Sequence, residues 1–439
     1  MTENREIRPQ DAVAEHPFLR SPTDSQPMAP PRSQAGKITC AVPGMLCGQA
    51  FLDESEAFTR PLQAFAAVAI RMDDAGTSDT AMAESMEDAC RETDGVWGKI
   101  EDGLFGCLLA DADADKAVAV VEGIRHRLFE AAGIRISFGV AMFPTIDYSR
   151  ADIMDNARKA LEHAAFFGPG SNVIFDAVSL NISGDQLYQQ GDMQGAVDEF
   201  HRALELDPRN VNVHNSLGVC HGVMGEWDRA LERFETVLQI DPGEVMAIYN
   251  LGLVHLLGED DKPRALERFL EAARGDDSIF EIQLETGKLY LEMDRTEDAL
   301  GFLEKAASLN PQSSLAQRYL GECFERMEDA HGAVAAYQKA VKCNPNDAAS
   351  LSALGVLMDA QGENAEITTA FCRHSVEIAP DNGLYHLRLA RLYEKHDRPE
   401  AAAAAFEKAL ALGCDLEAEA AACREGKEAD RPQTAAEES

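Results

Sequence analysis

Apolar residues recur at helical spacing along the C-terminal half of the chain, and this pattern itself repeats about every 34 residues. Turn prolines mark the repeat at successive gaps of 34, 69, 34 and 35 residues: Pro208, Pro242, Pro311, Pro345 and Pro380. The gap of 69 residues accommodates one additional repeat that ends at Asp276 or Asp277. Self-similarity at this period is typical of stacked helical hairpins. We therefore predict seven helix pairs over residues 177–416.

Small and bulky residues occur in the same register of each repeat. A small residue lies at one position of each first helix: Gly184, Gly218, Gly252, Gly287, Gly321, Gly355 and Ala390. About 12 residues later comes an alanine, with Ile367 as the exception: Ala196, Ala230, Ala265, Ala299, Ala333 and Ala402. Four residues further comes a bulky side chain: Phe200, Phe234, Phe269, Leu303, Tyr337, Phe371 and Phe406. Small residues allow two helices to approach closely, and we expect the bulky group to fill the space under the next hairpin.

These residues resemble the tetratricopeptide repeat family over about 240 positions. The resemblance implies an all-α, right-handed superhelix whose groove binds a protein or peptide through the first helix of each pair. Polar candidates on those helices are Asn215, Asn250, Lys288 and Arg318. The alternative is that they are ordinary solvated or capping residues. The full Lys/Asn/Lys/Arg pattern with which some members bind a terminal carboxylate is not present.

Two histidines, His221 and His255, occupy equivalent positions of neighbouring repeats. The family places a packing tyrosine there. We therefore expect both to be half-buried core residues and not metal ligands.

Short apolar runs alternate with helical patterns between residues 37 and 176, which predicts an α/β domain. Strands are expected at Phe65–Asp74, Ile134–Val140 and Asn172–Phe175, with an amphipathic helix over Asp152–Phe166. In the sequence DADAD, which follows the central apolar hairpin, Asp115 is the expected cap of the next helix.

This region resembles a GGDEF (diguanylate cyclase) domain. The motifs are VPGMLCGQAFL at Val42–Leu52, KIEDGLFGCLLAD at Lys99–Asp111, and SFGVA at Ser137–Ala141 with its following helix. The resemblance implies a central, mostly antiparallel sheet flanked by helices. It also implies a site where carboxylates hold two metal ions against GTP.

The residues that this chemistry requires are missing. The signature pentapeptide becomes Glu101-Asp102-Gly103-Leu104-Phe105, so Gly103 and Leu104 replace the two acids. The acid pair after the first strand becomes Arg71 and Asp73, and Ala165 replaces the lysine near the phosphates. The domain is therefore predicted to be degenerate, and the protein is predicted to be no enzyme, with neither metal nor cofactor.

One family motif remains, the RxxD sequence Arg91-Glu-Thr-Asp94. In the family it binds the product, cyclic-di-GMP, since an arginine fork and a carboxylate both complement guanine. The alternative function is thus a cyclic-di-GMP effector with Arg91 and Asp94 as its site. The competing interpretation is that the motif simply ends a surface helix.

Charge and composition restrict the partners. The 439 residues include 40 Lys and Arg against 76 Asp and Glu, a formal net charge of −36. Such acidity argues against nucleic acid and anionic membranes as partners. No apolar run approaches the roughly 18 residues of a membrane span, and the polar start MTENREIRPQ predicts no secretory signal.

The ten cysteines form no CxxC pair, so we expect reduced thiols in a cytoplasmic protein. Residues 1–36 and the acidic tail 424–439 are predicted to be disordered. The leading hypothesis is a non-enzymatic adaptor or scaffold in bacterial signalling.

Overall fold

The computed structural model describes residue 42 and residues 44–74 and 79–414. The predicted disordered segments 1–36 and 424–439 lie outside this range. The chain divides into two compact units between Asp261 and Lys262. We call them the first unit and the second unit, and describe each by itself.

The first unit begins with four α-helices and five strands among its described residues. They are α1 (Gln49–Thr59), β1 (Phe65–Met72), α2 (Asp79–Thr93), β2 (Gly95–Glu101), β3 (Leu104–Ala110), α3 (Ala114–Ala132), β4 (Ile136–Phe143), α4 (Ile153–Ala164) and β5 (Asn172–Ile174). The predicted α/β region is therefore present, and the predicted elements differ from the observed ones mainly at their ends.

The five strands form one sheet in the order β2-β3-β1-β4-β5. Neighbouring strands are antiparallel except β4 and β5, which are parallel. Val68 of the central strand β1 pairs with Cys107 of β3 and Val140 of β4. From β1 to β4 the elements follow the β-α-β-β-α-β arrangement of ferredoxin-like folds.

Helix α4 packs directly on the sheet because β4 contains a glycine. A side chain at Gly139 would lie 2.2 Å from the carbonyl oxygen of Ala157. Only glycine allows the helix to approach this closely. The face of α4 opposite the sheet is therefore available to neighbouring elements.

The expected cap of α3 is wrong by two residues. Asp113 lies in extended conformation before the helix, and its side chain accepts a hydrogen bond of 2.8 Å from the backbone N–H of Lys116. Asp115, the predicted cap, lies inside the first turn. A capping side chain must precede the helix to reach its free N–H groups, and Asp113 meets this condition.

Everything after β5 in the described residues is helical. The first unit continues with α5 (Ala177–Gln189), α6 (Met193–Leu206), α7 (Val211–Val223), α8 (Trp227–Ile240) and α9 (Val245–Leu257). The second unit contains α10 (Lys262–Gly275), α11 (Phe280–Glu292), α12 (Thr296–Leu309), α13 (Ser314–Arg326), α14 (Ala330–Cys343), α15 (Ala348–Ala360), α16 (Ala365–Ile378), α17 (Gly383–Lys395) and α18 (Pro399–Ala411).

Small residues of the repeats lie under bulky ones, where the two helices of a hairpin approach closely. A side chain at Gly184 would lie 2.5 Å from the ring of Phe200, and one at Gly218 would lie 2.7 Å from the ring of Phe234. Each ring thus fills the crossing of the two helices of its own hairpin. That it also fills the space under the next hairpin stays a prediction. A larger residue at the glycine would force the two helices apart.

Helices α5, α7 and α9 contact each other in sequence, as do α11, α13, α15 and α17. We call these two sets the first-helix faces of the first and second unit. Polar side chains cap the N-termini of several of these helices: Asn210, Ser313, Asp347 and Asn382 accept hydrogen bonds from the N–H group three residues on.

Five cysteines are buried free thiols: Cys90, Cys107, Cys220, Cys323 and Cys372. Cys47 is disulfide-bonded, however, so the expectation that every cysteine is reduced is wrong. Across the described parts of the chain, no helix combines the length and apolar character needed to span a membrane.

Candidate functional site

The RxxD motif lies at the surface where α2 ends. The Arg91 side chain is 70% exposed and donates a hydrogen bond of 3.0 Å to Glu87, one turn earlier on the same helix. Asp94 is exposed and adopts a positive φ of 51° in the tight turn into β2. The two residues are accessible, and nucleotide binding at this motif remains a prediction.

A lysine lies between two carboxylates at the central hairpin. Lys99 Nζ is 2.7 Å from an oxygen of Asp79 and 2.7 Å from an oxygen of Asp102, and its side chain is only 4% exposed. Burial opposes the charge of Lys99, but the hydrogen bonds to Asp102 and Asp79 outweigh it and raise the pKa of the ammonium. A fixed protein cation thus pairs with Asp102 in the hairpin turn and with Asp79 at the start of α2.

Asp73, the acid retained after β1, is also engaged. Its two oxygens accept hydrogen bonds of 2.9 and 2.8 Å from the hydroxyl of Ser137, and one oxygen accepts a further bond of 2.8 Å from the N–H of Gly170. In the described portion of the chain, no group of three or more His, Cys, Asp or Glu side chains is arranged to hold a metal ion.

Helix α4 connects the sheet to the first helical hairpin, within the first unit. Lys159 Nζ lies 2.7 Å from an oxygen of Glu199 on α6, and both side chains are largely buried. His163 Nδ1 lies 3.2 Å from the hydroxyl of Ser179 on α5. The α/β region is therefore joined to the first hairpin by specific polar contacts.

Amides and hydroxyls connect neighbouring helices on the first-helix face of the first unit. Asn250 donates to Asn215 over 3.4 Å, and Ser216 donates to Asp185 over 3.2 Å. Asn250 is 0% exposed, whereas Asn215 is half-buried. Of these two predicted groove residues, only Asn215 reaches the surface, and Asn250 supports it from below.

The first-helix face of the second unit carries charges and aromatic rings. Lys288 Nζ lies 5.5 Å from the centre of the Tyr319 ring, and the Arg318 guanidinium lies 5.2 Å from the same ring. Glu285 accepts from Lys288 at 2.8 Å, and Asp347 accepts from Arg318 at 3.4 Å. The structure thus brings the predicted residues Lys288 and Arg318 together around one tyrosine.

Two further residues of this face escaped the sequence analysis. Arg388 on α17 is half-buried and donates to the hydroxyl of Ser352 on α15 over 3.4 Å. Tyr385 lies one turn before it and lines a cleft of about 370 Å³ with Arg318, and burial raises the pKa of its phenol. Their only sequence signal was their place on a first helix, close to the small residue.

Three segments match models of one repeat family. Residues 184–222 match a model described as TPR repeat, and residues 284–366 and 385–412 match models described as tetratricopeptide repeat. No curated protein sequence matches this chain.

Several solved structures are similar to this chain. YrrB, described as a TPR protein with an unusual peptide-binding site, is 22% identical, with a TM-score of 0.39 over 43% of this chain and 96% of that chain. PilF of Pseudomonas aeruginosa is 20% identical, with a TM-score of 0.44 over 50% and 96%. A thermophilic TPR protein of Thermus thermophilus is 21% identical, with a TM-score of 0.34 over 42% and 98%. The three segments matched by repeat models show that the C-terminal region of this chain contains tetratricopeptide repeats.

Proposed function

We propose that this protein is a non-enzymatic scaffold that binds a partner protein along its first-helix faces. Tetratricopeptide repeats generally mediate protein–protein interaction, and this chain contains them. The partner would lie across seven hairpins arranged as a right-handed superhelix, and the scaffold would act in bacterial signalling in the cytoplasm.

One observation carries the proposal: Lys288, Arg318 and Tyr319 form a partly exposed cation–aromatic cluster on neighbouring helices. The packing of the hairpins does not require it, because buried small and bulky residues already fill their crossings. Exposed arginine and tyrosine side chains are the types that contribute most to binding energy at protein interfaces. The cluster is therefore better explained by recognition than by folding.

The α/β region, on this proposal, is a degenerate GGDEF-like domain that supports the first hairpin. Its strand order and the contact of Lys159 with Glu199 favour such a role. Lys99 between Asp79 and Asp102, and Asp73 bound to Ser137, leave the remaining acids engaged by the protein itself. Both features argue for a structural domain that does not convert GTP.

The test is capture of a partner from lysate by the full chain, compared with Lys288→Gln/Arg318→Gln. Glutamine keeps a donor for Asp347 and Glu285, so folding should be retained. The recovered partner should fall about tenfold or more. The control, Lys339→Gln/Lys342→Gln, removes the same charge from exposed positions of α14 and should leave recovery unchanged. Two outcomes would contradict the proposal. In one, both variants recover the same amount of partner; in the other, neither the wild type nor the control variant captures any partner.

A further inference from the structure

A second cleft lies in the first unit, away from the residues discussed so far. It forms where α7 ends, α8 begins and α9 ends, and it has a volume of about 380 Å³. Its lining includes the carboxylates of Glu226, Asp228 and Glu259, the indole of Trp227 and one cation, Arg229. The cleft is thus acidic and aromatic.

Two of its carboxylates are hydrogen-bonded to histidines, of which His221 is buried and His255 is half-buried. His221 Nδ1 lies 2.7 Å from an oxygen of Glu226, and His255 Nδ1 lies 2.9 Å from an oxygen of Glu259. The histidine side chains are only 5% and 11% exposed, whereas those of the glutamates are 39% and 41% exposed. The two histidines occupy equivalent positions of neighbouring repeats. A histidine–glutamate hydrogen bond therefore occurs twice around one cleft.

The histidines fix the orientation of the two carboxylates by hydrogen bonds. Burial lowers the pKa of His221, although its hydrogen bond to Glu226 acts in the opposite direction. The hydrogen bonds from His221 and Arg229 lower the pKa of Glu226. A buried donor that fixes the orientation of an exposed ligand group preorganises a binding site.

The indole of Trp227 is positioned by a glycine. A side chain at Gly258 would lie 2.7 Å from Cγ of Trp227, so the glycine gives the ring its room. Trp227 is half-buried, and the apolar side chains of Leu231 and Val254 line the cleft with it. An indole and alkyl groups next to oriented carboxylates suit a side chain with an apolar stem and a cationic end.

We infer that this cleft binds an arginine or lysine side chain of a partner protein. The guanidinium or ammonium would pair with Glu226 and Glu259 and pack on Trp227, and the net charge of −36 would attract a basic segment. Arg229 already pairs with Glu226 at 2.9 Å, but its side chain is 66% exposed. Exposed ion pairs contribute little, so an incoming guanidinium can displace it.

The experiment uses the two tryptophans of the full chain, labelled as 5-fluorotryptophan and observed by ¹⁹F NMR. A Trp97→Phe sample assigns the signals. The peptide acetyl-Gly-Arg-Gly-Arg-Gly-amide should shift the Trp227 signal saturably and leave the Trp97 signal in place. The same peptide with citrulline in place of arginine should have no effect, since it lacks the charge.

Variants test the carboxylates. Glu226→Gln/Glu259→Gln keeps acceptors for the histidines and should weaken peptide binding about tenfold. Glu232→Gln/Glu235→Gln removes the same charge from exposed positions of α8 and should bind like the wild type. Equal losses in both variants, a response to the citrulline peptide, or an equal response to spermine would overturn the inference. The citrulline comparison needs no variant, so it decides the matter even if one fails to fold.

Discussion

The two first-helix faces are built on the same hairpin but carry different chemistry. In the first unit, neutral amides and hydroxyls dominate and pair with each other, as Asn215 does with Asn250. In the second unit, Lys288 and Arg318 flank Tyr319, and Arg388 lies nearby on α17. The first face can offer hydrogen bonds to a peptide backbone, and the second can offer cations and aromatic rings.

This difference shows that packing and recognition use separate positions of the repeat. Gly218 under Phe234 in the first unit and Gly287 under Leu303 in the second unit perform the same structural task. The positions beside them on the first helix vary without cost to that packing. A repeat array can therefore change its ligand along its length while its fold stays constant.

The largest effects should come from what the two units share. Phe234→Ala in the first unit and Leu303→Ala in the second should each lower the free energy of unfolding by about 3 kcal/mol or more, since both side chains are fully buried. Urea denaturation of the full chain measures this. Ile367→Ala, at a 49% exposed side chain, is the control and should cost roughly 0.5 kcal/mol. A large loss in only one unit would show that the two do not share one packing scheme.

A second effect is specific to the charged second unit. Asp359 is buried and accepts hydrogen bonds of 2.6 Å from both Lys395 and His396. Asp359→Asn should lower the free energy of unfolding by about 1–2 kcal/mol at pH 7, less than for a fully buried pair because Lys395 is exposed.

The pH dependence of this effect has a definite sign. Burial acts to raise the pKa of Asp359, but the hydrogen bonds to Lys395 and His396 outweigh it and lower the pKa below its usual value. The stabilisation is therefore complete above the unfolded pKa of about 3.9 and is lost as the pH falls through the lower folded value. Urea unfolding of wild type and variant between pH 6 and pH 2.5 should show the difference vanishing only at the acid end. A difference that vanishes near neutral pH would contradict this account.

Binding measurements should separate the two faces by their salt dependence. Arg318→Gln should weaken partner binding about tenfold and flatten its dependence on salt, because the lost interaction is electrostatic. Asn215→Ala should weaken binding only about two- to fivefold, with the salt dependence intact. Calorimetry at two ionic strengths distinguishes them. Identical salt profiles for both variants would remove the distinction between the faces.

The smallest effect is expected at the RxxD motif of the first unit. Arg91 already pairs with Glu87 on its own helix, so on the scaffold proposal cyclic-di-GMP should produce no heat with the full chain or with Arg91→Ala. Binding in the micromolar range that the variant abolishes would instead favour the effector hypothesis. It would also show that the first unit binds a charged ligand, so charged recognition would no longer distinguish the second unit from the first.

Much of the fold could be predicted because its signals are local and periodic. The spacing between Gly184 and Phe200 recurs along the chain, so it can be recognised from the sequence without knowledge of tertiary contacts. The strand around Val68 is likewise evident from its apolar run. The error at Asp115 arose because the choice depended on backbone geometry, namely on which acid precedes the helix.

The candidate sites were less predictable, since a polar residue's role depends on the groups that the fold brings beside it. Asn215 and Asn250 look alike in sequence, yet one is half-buried and the other has no exposed surface. Lys288 and Arg318 could be named as candidates, but Tyr319 between them could not.

The sequence alone determined the helical repeats, the sheet region and the acidic charge, because each follows from composition or from a period along the chain. The tertiary structure alone decided that Lys99 lies between Asp79 and Asp102 and that two histidines orient Glu226 and Glu259. Burial and hydrogen bonding between elements depend on which helices and strands are in contact, and a local sequence pattern does not predict those contacts. The physical reason is that the packing residues recur at a fixed period along the sequence, whereas polar side chains pair with residues that only the tertiary fold brings near them.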